Sequence, residues 1–405
     1  MTGSVLFYVQ HLLGIGHMQR VFRLADSVAR KGLKVTLVSG GEALAGPVCG
    51  EFGRIVQLAP IRALDASFKE LVGPDDQPVD DKLRETRRAA LLSTFAAARP
   101  DVVVIEAFPF GRRAFRFELE PLIEATRSRR PRPLVLCSLR DIVVVPQDAA
   151  RYREIVDRVR SEFDFVLIHG DPRFVPLEAS FPAAREIADR LIYTGYIGQS
   201  DQTSGGDEGA GAGEVLVSIG GGAVGSALLS AALETRRRGC LSDVTWRLLA
   251  GPNLPQPAFR SLARALPKGV VLERYRHEFP QMLRHCRVSV SQAGYNTILD
   301  ILAAHAPAVV VPFAAGRETE QQLRAERLAA RGALELVRET ELTPARLAHA
   351  IERAIAREPA KITVDMRGAR RGADLIASMI KKPESHLRRA DGDFVSYPAR
   401  GIISA

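Results

Sequence analysis

No stretch of the chain approaches the ~20 consecutive apolar residues that a membrane-spanning helix needs. The first residues carry neither a basic n-region nor a small-residue cleavage site. Met1 runs almost directly into a core-like strand, so the expected location is the cytoplasm, with peripheral contact at the inner face of the plasma membrane. Cysteine is sparse: Cys49, Cys137, Cys240 and Cys286 are scattered without a CxxC pair. That argues against a zinc site or a disulfide framework and fits a reducing compartment. No nucleic-acid motif appears, and the 56 Lys and Arg are spread among 47 Asp and Glu. The net charge of +9 suits an anionic substrate or an anionic membrane surface better.

What the chain does have is length and regular alternation. Its 405 residues are long for one core and comfortable for two domains. The stretch from Val288 to Leu336, VSVSQAGYNTILDILAAHAPAVVVPFAAGRETEQQLRAERLAARGALEL, reads as strand, turn, helix, strand, polar loop, helix. The apolar runs Val288 to Ser291 and Ala308 to Val311 suit buried parallel strands. The intervening helix is predicted from about Asn296 to His305, and the last from about Thr319 to Arg331. In such a unit the ligand-competent end is where strand C-termini meet helix N-termini. Gly294, Asn296, Thr297 and Asp300 lie there, with Gln321 and Gln322 opening the next helix. Amide N–H groups, a carboxylate and amide side chains together suit phosphate, a ribose diol and sugar hydroxyls. Thr297 with Asp300, and Thr319 with Gln322, equally spell capping boxes, so the spacing alone leaves both readings open.

This stretch resembles the donor-site motif of GT-B glycosyltransferases related to MurG, and of a bacterial group of predicted glycosyltransferases with a GYNT signature. A serine, a glycine, an acidic residue inside the helix, PA-VVVPF and a Gln-Gln pair recur in that order. The resemblance covers this segment strongly and the chain more weakly to about residue 380. It implies an α/β fold of GT-B architecture, two Rossmann-like doubly wound domains facing each other across a cleft. The expected divisions are an acceptor-binding domain over 1–196, a glycine-rich flexible linker over 197–213, a nucleotide-sugar domain over 214–380 and a tail over 381–405. The last helix, expected near Met366 to Lys381, would cross back to the first domain.

The opening of the chain is a βαβ unit: strand Val5 to Val9, a loop from Gln10 to Gly16, a helix from about His17 to Arg30, and strand Leu33 to Val38. Gly14 and Gly16 invite a dinucleotide-binding reading, but Gln19 stands where a third glycine would be. Gly14-Ile15-Gly16-His17 instead resembles the glycine-rich, histidine-ending loop of MurG-like enzymes, one glycine short. By position alone His17 is as well explained by a bond to its own loop; the resemblance makes it the candidate general base. A helix is expected from Asp81 to Ala98 and a strand from Val102 to Ile105, with Glu106 just beyond it. Glu106 is a second candidate: it orients His17, meets an acceptor hydroxyl, acts as base, or simply pairs with Arg112 or Arg113.

Phe108, Phe110, Phe115 and Phe117 interleave with Arg112, Arg113 and Arg116, a pattern that suits either membrane docking or a core with solvated arginines. Arg140 and His169, at the ends of two further strands, are candidates for phosphate or acceptor contact. In the second half, Gly221 and Gly222 open a phosphate-approach loop, where the family pattern has a serine at the position of Gly222. Tyr275 and Arg276 fall where related enzymes stack and hydrogen-bond the uracil. Asp300 takes the place of the family's ribose-binding glutamate. Asp391-Gly392-Asp393 matches a DxD metal motif but lies in the tail, so no metal or cofactor is expected.

The expected reaction is inverting transfer of a hexose or N-acetylhexosamine from a UDP-sugar to an acceptor hydroxyl, with lipid-linked or cell-envelope acceptors in view. The competing readings are a UDP-sugar 2-epimerase of the same architecture and a non-catalytic nucleotide-sugar or lipid-binding protein. A nicotinamide oxidoreductase is disfavoured by the incomplete glycine fingerprint.

Overall fold

The computed structural model describes residues 3–12, 16–43, 53–64, 70–145, 148–198, 209, 211–221, 225–313, 319–358, 360 and 362–381. Gly14, Gly222, most of the 197–213 segment and the Asp391–Asp393 motif lie outside the described residues.

The first half carries β1 (Ser4–Val9), α1 (Gly16–Ala29), β2 (Lys34–Ser39), β3 (Arg54–Gln57) and a small antiparallel pair, β4 (Arg62–Ala63) and β5 (Leu71–Val72). Next come α2 (Asp81–Ala98), β6 (Val102–Glu106), α3 (Arg116–Ser128), β7 (Leu134–Arg140), α4 (Ala149–Glu162), β8 (Phe165–His169) and β9 (Leu191–Tyr193). The second half runs β10 (Val215–Ser218), α5 (Ser226–Arg237), β11 (Trp246–Leu249), α6 (Gln256–Arg264), β12 (Val270–Glu273), α7 (Phe279–Met282) and β13 (Val288–Ser291). It continues through α8 (Tyr295–Ala304), β14 (Ala308–Val310), α9 (Glu320–Ala330), β15 (Glu335–Leu336), α10 (Pro344–Ala356) and α11 (Gly368–Lys381).

These strands form two parallel sheets, ordered β3-β2-β1-β6-β7-β8-β9 and β12-β11-β10-β13-β14-β15. Helices cover both faces, which is why the strands are continuous apolar runs: Val5 to Val9 and Val102 to Ile105 are fully buried. Strand order reverses between β1 and β6, and again between β10 and β13. A crevice therefore opens at the C-terminal ends of those four strands.

Glu106 stands at the C-terminal end of β6, in register with Ser138. Neither capping box forms. Helix α8 begins two residues before Thr297, with Gly294 at its N-cap and no side-chain cap, and Thr319 caps α9 without a side-chain bond. The membrane-docking pattern also resolves in favour of the core: Phe108, Phe110 and Phe115 are buried in the first domain, with Phe117 packed against them.

The domains are joined twice, and the two crossings lie side by side. Tyr196 N–H donates to Asp365 O at 2.6 Å, Gly368 N–H donates to Tyr196 O at 3.0 Å, and Ile197 bridges Arg367 antiparallel. Gly195 has φ +90° beside Asp365, and the backbone of Gly195 and Tyr196 leaves no space for a side chain at Gly368. Helix α11 then lies on α1, placing Ala373, Ile376 and Met379 in one apolar cluster with Val21, Leu24 and Val28. A Cβ at Gly372 would stand 2.8 Å from Leu24, so glycine sets how closely the two helices approach.

A buried ionic cluster ties α9 to the end of β7. Arg324 donates to Asp141 at 3.1 Å and to Glu320 at 2.8 Å, and Glu320 also pairs with Arg140. Tyr196 donates to the second oxygen of Asp141 at 2.7 Å. Breaking a buried ion pair from one side strands the opposite charge. Urea unfolding of Arg324→Met is therefore expected to show a loss of about 3 kcal/mol, partly recovered by Asp141→Asn in the same chain.

Candidate active site

The first half of the site is built where α1 starts and β6 ends. His17 is the second residue of α1, with 21 % of its side chain exposed, and its Nδ1 lies 2.9 Å from Glu106 Oε1. Glu106 is wholly buried, and both of its oxygens are occupied. Arg20 donates to Oε1 alongside His17, and the Ser138 hydroxyl donates to Oε2. A carboxylate bonded in this way only accepts, so His17 must carry its proton on Nδ1. The Nε2 lone pair is then left without a partner among the described residues.

The chain of bonds continues inward. Ser138, having donated to Glu106, accepts from His169 Nε2–H at 3.0 Å, and His169 Nδ1 accepts from Thr194 at 2.8 Å. Burial, with the nearby Arg20 charge, lowers His169 to about 3, so it is neutral as this pattern requires. Burial also lowers His17, joined by the Arg112 and Arg20 charges and opposed by the bond to Glu106 and its charge, bringing it to about 3. Burial pushes Glu106 upward, but the Arg20 charge and the His17 and Ser138 bonds hold it well below the usual carboxylate range. Glu106 is thus a fixed anion that orients an imidazole. Both of its oxygens are engaged here, which favours the orienting role over that of base.

Several sequence-based expectations need correction here. The cation paired with Glu106 is Arg20, not Arg112 or Arg113: Arg112 instead donates to Gln10 O at 2.6 Å, and Arg113 is exposed. His169 is buried with both nitrogens engaged, and Arg140 is paired with Glu320. His169 is thereby closed to phosphate or acceptor contact.

The second half of the site faces the first across the α1–α8 contact. Asn296 Nδ2 donates to Gln19 Oε1 at 3.1 Å, and Gly16 lies against the same Asn296 amide. Tyr295 donates to His169 O at 3.0 Å, and the guanidinium groups of Arg20 and Arg324 lie 5.5 and 5.4 Å from its ring centre. Gly294 and Thr297 occupy the N-cap and first turn of α8. Asp300, one turn on, is half-buried, and burial raises it to about 7 against the opposing Arg23 charge. Tyr275, after β12, is 65 % exposed, and Arg276 reaches Glu273 at 3.3 Å. Gly221 accepts from Asn253 N–H at 3.0 Å in the loop after β10.

The glutamine pair divides. Gln321 Oε1 accepts from Phe313 N–H at 3.1 Å and so holds the start of the loop after β14, while Gln322 donates to Glu326 on its own helix at 3.0 Å. Among the described residues no three His, Cys, Asp or Glu side chains form a metal-binding group.

The residues that sequence reasoning missed are Arg20, Ser138 and Tyr295. Arg20 was detectable in principle, since a spacing of three puts it on the same helical face as His17. Ser138 was not, because only sheet register sets it beside Glu106.

Residues 216–378 match the model of the glycosyltransferase family 28 C-terminal domain. An uncharacterized glycosyltransferase of Methanopyrus kandleri is 33 % identical over 108 residues, 26 % of this chain and 31 % of the relative. The UDP-N-acetylglucosamine–N-acetylmuramyl-(pentapeptide) pyrophosphoryl-undecaprenol N-acetylglucosamine transferase of Phenylobacterium zucineum is 26 % identical over 192 residues, 47 % of this chain and 50 % of the relative. The chain thus spans half or less of the length of these curated relatives. Among solved structures, the calicheamicin glycosyltransferase CalG4 aligns over 97 % of this chain and all of its own, with TM-score 0.60 and 18 % identity. MurG of Acinetobacter baumannii aligns over 93 % of this chain and all of its own, with TM-score 0.56 and 16 % identity. At such identities the two structures show the fold, which is GT-B. Fold and domain match agree: the chain has the GT-B fold, resembles MurG-like glycosyltransferases, and carries a glycosyltransferase family 28 C-terminal domain over residues 216–378.

Proposed function

We propose that the protein is an inverting glycosyltransferase that moves a hexose or N-acetylhexosamine from a UDP-sugar to an acceptor hydroxyl. The observation that carries this reading is the His17 imidazole, neutral and fixed through Nδ1, with Nε2 free at the meeting of the two domains. Nε2 accepts the acceptor's proton as the acceptor oxygen attacks the anomeric carbon from the face opposite the diphosphate. The carbon–oxygen bond to the diphosphate breaks, inverting that centre. In this reading the leaving charge is met by N–H groups at the start of α8 and in the loop after β10, with no metal.

Asp300 takes the ribose diol, Tyr275 stacks on the uracil, and Asn296 and Thr297 edge the donor. Because the glutamine pair divides, Gln321 shapes the donor loop from behind. Gln322 reaches a sugar hydroxyl only by giving up Glu326. The acceptor class is drawn from the relatives, whose names specify a pyrophosphoryl-undecaprenol acceptor. A net charge of +9 suits an anionic membrane surface, to which the protein would bind peripherally. Among the described residues no helix is long and apolar enough to cross a membrane.

His17→Gln is expected to lower kcat about 10²–10⁴-fold while leaving donor binding intact. A variant within tenfold of the parent removes His17 as base. Chelation of divalent metals should leave the rate unchanged. Incubation with UDP-N-acetylglucosamine and no acceptor should return it unaltered, since an epimerised product marks an isomerase instead.

In a thermal-shift series, UDP-sugars should stabilise the parent and not Asp300→Ala. The donor-induced shift should grow as pH rises through about 7, where Asp300 ionises and accepts both ribose hydroxyls. Without ligand the sign reverses. A carboxyl raised in the folded state from 3.8 to about 7 loses stability as pH rises between those values, so Asp300→Asn should gain on the parent across that window and level off above it.

A further inference from the structure

We infer that Arg20 is the positioning residue for the base: it holds the Glu106 carboxylate against His17 and, through the Tyr295 ring, makes that geometry depend on the seating of the donor-binding domain. The inference rests on the reading of His17 as base and adds a residue to it.

Arg20 is 3 % exposed, and its Nη2 reaches Glu106 Oε1, the same oxygen that accepts from His17 Nδ1. The same nitrogen stands 3.1 Å from His17 Nδ1. One carboxylate oxygen is thus shared by a cation and an imidazole, and the cation sits near enough to repel a second positive charge on the ring. Arg20 Nε is buried without a hydrogen-bond partner. A guanidinium retained only to satisfy the core would leave no such group unpaired. Its remaining contact is with the other domain, at the face of Tyr295, the first residue of α8. Tyr295 is itself pinned, donating to His169 O and accepting from Ile197 N–H at 3.3 Å.

An aromatic face attracts a cation most strongly when both are desolvated, as here. If α8 withdraws, Arg20 loses that face and the Arg20–Glu106–His17 arrangement relaxes. The charged and titratable groups that face His17 from the packed elements are Arg20 on α1, Glu106 on β6, Arg112 beyond β6 and Glu320 on α9. His169 on β8 lies behind Ser138. Among the described residues, Arg20 is the cation of this group that touches both the dyad and the second domain.

The test is the titration of the His17 ring by proton–carbon NMR in the full chain, with the signal assigned by its loss in His17→Gln. Arg20→Gln keeps a hydrogen-bond donor and removes the charge. It is expected to raise the His17 midpoint by at least about one pH unit, because removing a like charge beside a partnered carboxylate favours the imidazolium. Arg20→Lys is expected to return the midpoint toward that of the parent. The acid limb of kcat/KM should move up with the ring. An unmoved midpoint in folded Arg20→Gln overturns the inference.

If Arg20→Gln does not fold, Tyr295→Leu carries the test. It leaves Glu106 paired but removes the ring, and is expected to shift the midpoint in the same direction by a smaller amount. No shift there overturns the inference equally. A ring that moves while the acid limb stays put counts against His17 as base and leaves the placement of Arg20 standing, so the two failures are distinguishable.

Discussion

A single buried carboxylate organises this molecule. Glu106 sits at the end of a fully buried strand, where an isolated anion would be far too costly to keep. It is retained because three groups from two elements converge on it: His17 and Arg20 from one turn of α1, and Ser138 from the neighbouring strand. The bond pattern that satisfies the anion also determines where every nearby proton resides. It places the proton of His17 on Nδ1 and leaves Nε2 without a partner among the described residues. The inward chain through Ser138, His169 and Thr194 completes that polarity without adding a charge.

The same economy governs the domain boundary. Asp141, Glu320, Arg140 and Arg324 neutralise one another between the end of β7 and α9, with Tyr196 completing the bonds to Asp141. Tyr295 stands between this cluster and the catalytic one, near a guanidinium from each. The two chain crossings are pressed together at Gly195 and Gly368. His17 and the α8 segment are therefore held at the two sides of one contact, α1 against α8.

Sequence reading located the elements well where apolar runs and helical spacing are local properties. Helix α2 and strand β13 fall on the expected residues, as Asp81–Ala98 and Val288–Ser291. That Glu106 could orient His17 was also among the readings offered, because a strand end and a strand-to-helix loop meet at one edge of a doubly wound sheet, and the two side chains do meet. Partner choice was not legible. Arg112 and Arg113 are near Glu106 in the chain, yet the partner is Arg20, brought in by the β1–β6 neighbourhood. The capping boxes were a plausible local reading, and helix α8 defeats one of them by starting at Tyr295, ahead of Thr297.

By itself the sequence determined the two doubly wound domains, the strand ends that face the cleft and the residue types available there, because period and burial are written into consecutive side chains. Only the tertiary structure decided which cation meets Glu106, which histidine nitrogen stays free, that His169 is sealed inside and that the phenylalanines are core. Those outcomes depend on sheet register and on the approach of two domains, and the energy of a buried charge depends on neighbours that the chain brings together only by folding.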